Sequence, residues 1–310
     1  MKKALVYSFV LCLFSWGVYY LLIWIWGGNL MANGIAMTAL KSLYMLFPML
    51  VALAFQAIGR ERPTSTGLLR FKLSWTWLAA IGCVVATVAL TVLTSALIPG
   101  VSLHYGVEQL IEMNGLDGDM AEAMKAQLGS MPPAAILGST LISGIIAGCT
   151  INAAFAFGEE YGWRNYMVHA LRGQRFWTAA IFIGLVWGIW HAPLVLAGHN
   201  YPQHPMAGVA MMCVFCVLWS IVELYFTLKT GSVAVAAIIH GTINAIAASV
   251  LILVNGGNDL TVGLTGAAGF ISTALLICAL RIYDKKSGDD IMATQITRLP
   301  HSFGVFQKDL

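Results

Sequence analysis

Residues 206–228 read MAGVAMMCVFCVLWSIVELYFTL, a run of 23 residues in which Glu223 is the only formally charged side chain. About 20 consecutive apolar residues form a helix long enough to cross the ~30 Å hydrocarbon core of a bilayer. This stretch therefore predicts a membrane span, and comparable stretches predict seven more. The eight predicted spans are roughly 4–26, 35–58, 75–98, 136–158, 177–197, 206–228, 231–254 and 262–281. The predicted fold class is all-α, a polytopic membrane helix bundle with about eight transmembrane helices.

The composition of the chain supports the same class. Hydrophobic residues make up 59% of the 310 residues and charged residues only 10%, against roughly 25% charged residues in an ordinary soluble domain. The mean hydropathy is +0.79. These values exclude a soluble globular domain, a disordered chain and a coiled coil. The net charge is only +3, and the basic residues form no single patch, so we expect no nucleic-acid partner.

The segments between the predicted spans alternate in charge. One set is rich in Lys and Arg, and the other is acidic or lacks basic residues. The basic set comprises 59–74, 164–175, the connection at Lys229 and the C-terminal tail, and the other set comprises 99–133, 198–205 and 255–261. The positive-inside rule then predicts that both termini are cytoplasmic. Lys41 lies within the second span, and we expect its side chain to extend toward the outer surface.

A few ionisable side chains lie deep inside the apolar spans, where they are costly and mark functional sites by default. We count inward from the nearest basic segment at ~1.5 Å per residue. Glu159 then lies about 20 Å, His191 about 24 Å and His240 about 16 Å from that surface. Three helices therefore place a carboxylate and two imidazoles at similar depth, which predicts one shared, water-containing site.

Helical spacing indicates which of the remaining polar residues have a structural role and which are available for catalysis. Glu160 and Arg164 are four residues apart and are expected to pair along one face, which leaves Glu159 free. His240 and Asn244 have the same spacing and lie one above the other. Glu223 is six residues from Lys229, and we interpret it as reaching the membrane interface. The small residues at Gly144, Gly148, Gly184, Gly188, Cys213 and Cys216 predict helix packing surfaces.

At these residues the chain resembles a known family. Residues 159–164, EEYGWR, match the Glu-Glu-x-x-x-Arg motif of the CPBP intramembrane proteases, the CAAX protease and bacteriocin-processing family that is also called Abi. Residues 187–191, WGIWH, resemble the second motif, with Trp187 where Phe is usual. Residues 240–244, HGTIN, match the third motif, His-x-x-x-Asn. The predicted organisation is N-terminal spans with an acidic outer loop, a CPBP-like core, and a last span with a cytoplasmic tail, at 1–133, 134–255 and 256–310.

The resemblance implies a peptidase whose site lies in the membrane and is reached from the cytoplasm. Its substrate would be a membrane-associated peptide or a lipidated protein, in contact with membrane lipid, and we expect a bacterial inner membrane. Amide hydrolysis needs an activated water and donors for the oxyanion. We expect Glu159 to act as general base and His191 to orient the water. His240 and Asn244 are expected to stabilise the oxyanion, and Glu160 and Arg164 to support the helix.

Several alternatives stay open. The same fold serves non-catalytic bacteriocin self-immunity or scaffold proteins, and a proton-coupled transporter also uses buried Glu and His, although no internal repeat appears here. Glu159, His191 and His240 form the ligand set of a zinc metalloprotease. They come from three helices rather than from one His-Glu-x-x-His helix, and the only nearby carboxylate is assigned to Arg164. We therefore expect a metal-free, glutamate-dependent protease, with zinc as the alternative. The oligomeric state is left open.

Overall fold

The computed structural model describes residues 1–27, 34–69, 71, 73–106, 111, 118–129 and 132–296. It confirms an all-α membrane helix bundle. The helices before the central region are α1 Lys2–Trp26, α2 Gly34–Tyr44, α3 Phe47–Ile58, α4 Trp75–Ser95 and α5 Gly118–Gly129. The central region contains α6 Pro133–Cys149, α7 Ile151–Glu160, the π-helix Tyr161–Met167, α8 Val168–Ala170, α9 Phe176–Trp190, α10 Ala192–Leu196, α11 Pro205–Thr230 and α12 Val233–Ile246. A last long helix, α13 Ala267–Ser287, follows.

Short elements connect these helices. Three 3₁₀ segments occur at Pro63–Thr66, Ala247–Ile252 and Ile291–Ala293. The strands β1 Ser102–Leu103 and β2 Val254–Asn255 form an antiparallel pair in which Ser102 faces Asn255. Part of the predicted acidic outer loop lies outside the described residues, including Glu108, Glu112 and Asp117, and so does Arg298 of the tail.

Six helices within the described residues are long and apolar enough to cross a membrane by themselves. They are Lys2–Trp26, Ala36–Ile58, Trp75–Ser95, Pro205–Thr230, Val233–Ile252 and Ala267–Ser287. Ala36–Ile58 combines α2 and α3, and Val233–Ile252 combines α12 with the 3₁₀ segment that follows it. Each corresponds to one predicted span. The two remaining predicted spans, the fourth and the fifth, are both interrupted, so the structure does not show eight continuous spans.

The predicted fourth span, 136–158, is not one continuous helix. α6 and the helical segment from Ile151 to Ala170 meet at an angle of 47°. The break lies at Thr150, beside the closest approach of α12. A Cβ atom on Gly241 would lie 2.4 Å from the carbonyl oxygen of Gly148 and 2.6 Å from the backbone nitrogen of Ala153. The backbone of α12 therefore packs directly against the bend, and only glycine fits there.

The fifth span is interrupted at the predicted site. α9 has 15 residues and ends at His191, and α10 begins at the next residue with Pro193 in its first turn. Proline lacks the N–H that would continue the hydrogen-bond ladder. In a continuous helix that N–H would have donated to the carbonyl of Ile189, and the carbonyl of the following Trp190 accepts bonds from the indole of Trp16 at 3.1 Å and the hydroxyl of Tyr44 at 2.9 Å. Two N-terminal helices thus hold the end of α9.

Small residues set the spacing between the central helices, as predicted. Gly184 and Gly188 of α9 lie against the backbone of α11 at Val217 and Cys213, where an added Cβ would come within 2.4 Å. Cys213 and Cys216 are free thiols, which agrees with their interpretation as packing residues. Gly148 has the same close approach to Thr242 of α12. These contacts let α7, α9, α11 and α12 pack closely enough to enclose a site.

The C-terminal segment closes one end of the bundle. The backbone of Ile296 pairs with the loop that precedes α9, where its N–H donates to Gln174 at 2.8 Å and its carbonyl accepts from Gly173 at 3.2 Å. The fully buried carboxylate of Asp284 accepts the backbone N–H groups of Ile291 at 3.0 Å and Met292 at 2.8 Å. The segment after α13 is thereby attached both to α13 and to the loop that precedes α9.

Candidate active site within the membrane

The four predicted catalytic residues line one cavity of about 650 Å³. Glu159 comes from the end of α7, His191 from the junction of α9 and α10, and His240 and Asn244 from α12. The side chains of the first three residues are almost fully buried, with exposures of 2%, 7% and 5%. The structure therefore brings together the carboxylate and the imidazoles that the depth argument placed at one level.

Two tryptophan indoles hold the Glu159 carboxylate. Its Oε2 atom accepts the Nε1–H of Trp187 at 2.7 Å and that of Trp163 at 3.4 Å. Trp163 is four residues after Glu159 and lies on the same side of the helix, whereas Trp187 reaches it from α9. The sequence analysis named Trp187 only as a position of the second motif and missed this bond. The signal was present, because a buried indole N–H generally finds an acceptor.

The hydrogen bond of His191 defines which of its ring nitrogens is free to bind a water molecule in the cavity. Its Nδ1 atom lies 2.9 Å from the carbonyl oxygen of Trp187. A carbonyl can only accept, so Nδ1 carries the proton and Nε2 of the neutral ring has a free lone pair. The ring also stacks on His199, with centroids 6.3 Å apart and planes 9° apart. His191 thus presents an acceptor that can orient a water molecule.

His240 is oriented by a carboxylate. Its Nδ1 atom lies 2.9 Å from Oε1 of Glu160, and its ring lies 5.2 Å from the ring of Trp187. Glu160 also pairs with Arg164, at 2.9 Å from Oε2 to Nη1. The expectation that Arg164 alone occupies Glu160 was therefore wrong. Because Glu160 accepts at Nδ1, the Nε2 atom of His240 is left for the cavity.

Glu223 was also misplaced by the sequence interpretation. It is fully buried rather than at the membrane interface, and it forms an ion pair with Nη2 of Arg164. Glu160, Arg164, Glu223 and His240 thus form one buried cluster that joins the π-helix and the end of α7 to α11 and α12. The sequence did contain evidence for a buried position, because Glu223 is embedded in an apolar run. Its closeness to Lys229 in the sequence instead suggested that it reaches the membrane interface.

The backbone after Glu160 forms a π-helix, Tyr161–Met167, which the sequence did not predict. Such segments are rare and occur frequently at functional sites. Here the hydroxyl of Tyr161 donates to Gln56 at 2.8 Å. A Cβ on Gly162 would lie 2.4 Å from the hydroxyl of Tyr7 and 2.5 Å from Pro48. Close packing against α1 and α3 therefore fixes the segment that carries Arg164.

Comparison with known proteins agrees with this geometry. Residues 129–246 match a family model described as "Rce1-like: Type II CAAX prenyl endopeptidase Rce1-like". This region contains the four predicted catalytic residues and the buried cluster of Glu160, Arg164, Glu223 and His240. The core of this chain is therefore similar to the CPBP family. A curated relative, "CAAX prenyl protease 2" of Methanococcus maripaludis, is 26% identical over 137 residues. The match covers 41% of this chain and 46% of that protein, so it spans less than half of the relative's length.

Several potential metal-ligating side chains lie close together in the CPBP-like core. Among the described residues, one set of three potential ligands has its donor atoms within 4.8 Å of one another, and it is Glu160, Glu223 and His240. The alternative zinc set of Glu159, His191 and His240 does not meet this spacing. In the set that does, both carboxylates already contact the guanidinium of Arg164. That cation bridges the two carboxylates of this set, so Glu160, Glu223 and His240 as arranged do not fit a metal ion.

The cavity of the CPBP-like core extends away from the basic end of the bundle. Besides the catalytic residues, loops 198–202 and 259–265 contribute to its wall, and they are the region where the sequence lacks Lys and Arg. Lys41 was expected at the outer surface, but it is half-buried and lines this cavity together with His199. Burial, and then the charge of Lys41, lower the pKa of His199 in the loop after α10 to about 3. Its imidazole is therefore neutral beside the lysine.

Proposed function

We propose that this integral membrane protein is an intramembrane endopeptidase that hydrolyses a peptide bond of a membrane-associated peptide or lipidated protein. The observation that carries the proposal is the convergence of Glu159, His191 and His240 on one buried cavity. The match to the Rce1-like family and to a relative named as a prenyl protease supports the same reaction class.

The arrangement suggests a separate role in hydrolysis for each of the four residues Glu159, His191, His240 and Asn244. Glu159 accepts a proton from a water molecule that Nε2 of His191 orients, and the water oxygen attacks the substrate carbonyl carbon. The carbonyl oxygen becomes negative and accepts hydrogen bonds from Asn244 and from Nε2–H of His240, which acts as an imidazolium because its Nδ1–H donates to Glu160. The tetrahedral intermediate collapses with cleavage of the C–N bond, and Glu159 returns the proton to the leaving amine. No side chain becomes acylated in this scheme.

The reaction is tested by cleavage of a peptide library with the purified protein in liposomes. Glu159→Gln, His191→Ala and His240→Ala are each expected to abolish hydrolysis while the thermal unfolding temperature stays near that of the wild type. Wild-type turnover in any variant would remove that residue from the mechanism. Uptake of a solute or proton without any hydrolysis would instead favour a transporter, and neither activity would favour an immunity or scaffold protein.

We also propose that the reaction needs no metal. The support is the donor geometry, in which Arg164 fills the space between Glu160 and Glu223. Protein stripped with a strong chelator is expected to keep its activity, with well below one zinc per chain by elemental analysis. Stoichiometric zinc, with activity lost on chelation and restored on readdition, would contradict the proposal.

The position of the cavity changes the expected side of access. With both termini in the cytoplasm, as the positive-inside rule favours, the loops that line the cavity face the opposite side of the membrane. We therefore propose entry of the substrate from the non-cytoplasmic face, in place of the cytoplasmic access that the family resemblance implies. In a cysteine-free background, Gln203→Cys should react with an impermeant maleimide in intact cells and Ser65→Cys should not. The reverse labelling would restore cytoplasmic access.

A further inference from the structure

Lys41 is a charged side chain in the cavity that the proposed chemistry leaves without a role. It lies on α2, in an apolar span, and it lines the same cavity as Glu159 and His191. No ion pair or side-chain hydrogen bond joins its ammonium group to another of the described residues. A half-buried lysine without an anionic partner is costly in an apolar environment, so its position requires an explanation.

The neighbouring groups do not neutralise Lys41. The imidazole of His199 is neutral at physiological pH. Asp259, a carboxylate in the outer wall of the cavity, already has hydrogen-bond partners of its own. Its Oδ1 lies 2.6 Å from Nδ1 of His204, and its Oδ2 accepts the backbone N–H groups of Gln203 at 2.7 Å and His204 at 3.1 Å. The outer part of the cavity therefore carries an available positive charge.

The position of Lys41 relative to the catalytic residues is set by α2. Tyr44, three residues later, stacks on Trp190 with ring centroids 4.3 Å apart and donates to the Trp190 carbonyl. Trp190 directly precedes His191. Lys41 thus lies about one helical turn, roughly 5 Å along the axis, from the level that holds His191. An extended peptide advances about 3.3 Å per residue, so a group a few residues from the scissile bond can reach it.

From these observations we propose that Lys41 forms a carboxylate-binding subsite that selects substrates with an anionic group near the cleaved bond. This inference rests on the proposed peptidase function. The carboxylate can belong to the C-terminus of a peptide or to an acidic side chain, and both present the same chemistry to the ammonium group. Lys41 lies outside the family-like core, so this subsite is a property of the N-terminal helices of the chain.

Binding is measured separately from hydrolysis, so that the two proposals can fail independently. The probe is a short, fluorescently labelled apolar peptide, prepared as a free acid and as a C-terminal amide. Affinities are measured for the inactive Glu159→Gln protein in liposomes of zwitterionic lipid. We expect the free acid to bind about tenfold tighter or more, as a charge-assisted hydrogen bond would produce. Adding Lys41→Met should abolish this preference, and Lys41→Arg should retain it.

Two further arms identify the source of the carboxylate and control for charge. An amidated peptide with a Glu near its end shows whether a side-chain carboxylate restores the tight binding; if it does not, the C-terminus is the group selected. Lys285→Met removes an exposed lysine at the opposite end of the bundle and should leave the preference unchanged. If Lys41→Met misfolds by size-exclusion chromatography, Lys41→Gln replaces it.

The inference is overturned if the acid and amide bind Glu159→Gln equally, or if the preference survives loss of the lysine charge. It is also overturned if Lys41→Met alters binding only in liposomes with anionic lipid, because the lysine would then contact headgroups. Failure of the wild type to cleave any peptide would refute the peptidase proposal, while the binding comparison would still decide the role of Lys41.

Discussion

Replacing Arg164 with methionine tests the buried charge cluster most directly. The Arg164, Glu160 and Glu223 side chains are all fully buried, and the guanidinium contacts both carboxylates. Removing one partner of such a cluster leaves uncompensated buried charge, which typically costs about 3–5 kcal/mol. The guanidinium also lies 4.7 Å from the centre of the Trp187 ring, and that attraction is lost as well. We expect Arg164→Met to lower the free energy of unfolding by about 3–5 kcal/mol.

The assay is reversible unfolding in mixed detergent micelles, followed by tryptophan fluorescence. The matched control is Lys3→Met, which breaks the pair between Lys3 and Glu61 at 2.5 Å. The Lys3 side chain is 65% exposed, and exposed pairs contribute about 0–1 kcal/mol, so this control should unfold almost as the wild type does. Adding Glu223→Gln to Arg164→Met removes one stranded carboxylate. The double variant should therefore lose less stability than the sum of the two single variants.

An Arg164→Met protein within about 1 kcal/mol of the wild type would refute the reasoning, because that value is typical of an exposed pair. If stability were unchanged while hydrolysis disappeared, the roles of Glu159 and Glu160 would have to be exchanged. A loss of stability with additive effects of Arg164→Met and Glu223→Gln would show that the two residues do not interact in the membrane.

Three other changes probe single contacts. Trp187→Phe removes the 2.7 Å bond to Glu159 and should lower kcat about tenfold or more. The control Trp190→Phe loses a bond to Ser15 instead and should change kcat little. Equal kcat values for the two variants would exclude a role for the Trp187 indole N–H. Gly241→Ala should destabilise by about 1–3 kcal/mol in the same unfolding assay, because its Cβ would meet two backbone atoms within 2.6 Å. Asp284→Asn should lower the free energy of unfolding by about 1–3 kcal/mol and increase hydrogen exchange at the backbone N–H groups of Ile291 and Met292. Unchanged exchange would show that Asp284 does not hold these two groups.

The sequence by itself determined the parts of this protein that depend on local properties. An apolar run of sufficient length has to cross the bilayer whatever its neighbours are, so the spans were predictable. Residues four apart on a helix share a face, so Glu160 and Arg164 were predictable partners. Counting residues from the basic segments placed Glu159, His191 and His240 at one depth, because the rise of a helix is constant.

The tertiary structure alone decided which faces of the helices meet. A soluble helix shows its buried face through its polar residues, but a membrane helix is apolar on both its lipid and its protein side. The sequence therefore did not reveal that Glu223 turns inward to Arg164, or that Glu160 also contacts His240. The bend at Thr150 depends on the approach of Gly241 from a distant part of the chain. Lys41 lines the cavity for the same reason, because contacts between α2 and α9 place its helix beside His191.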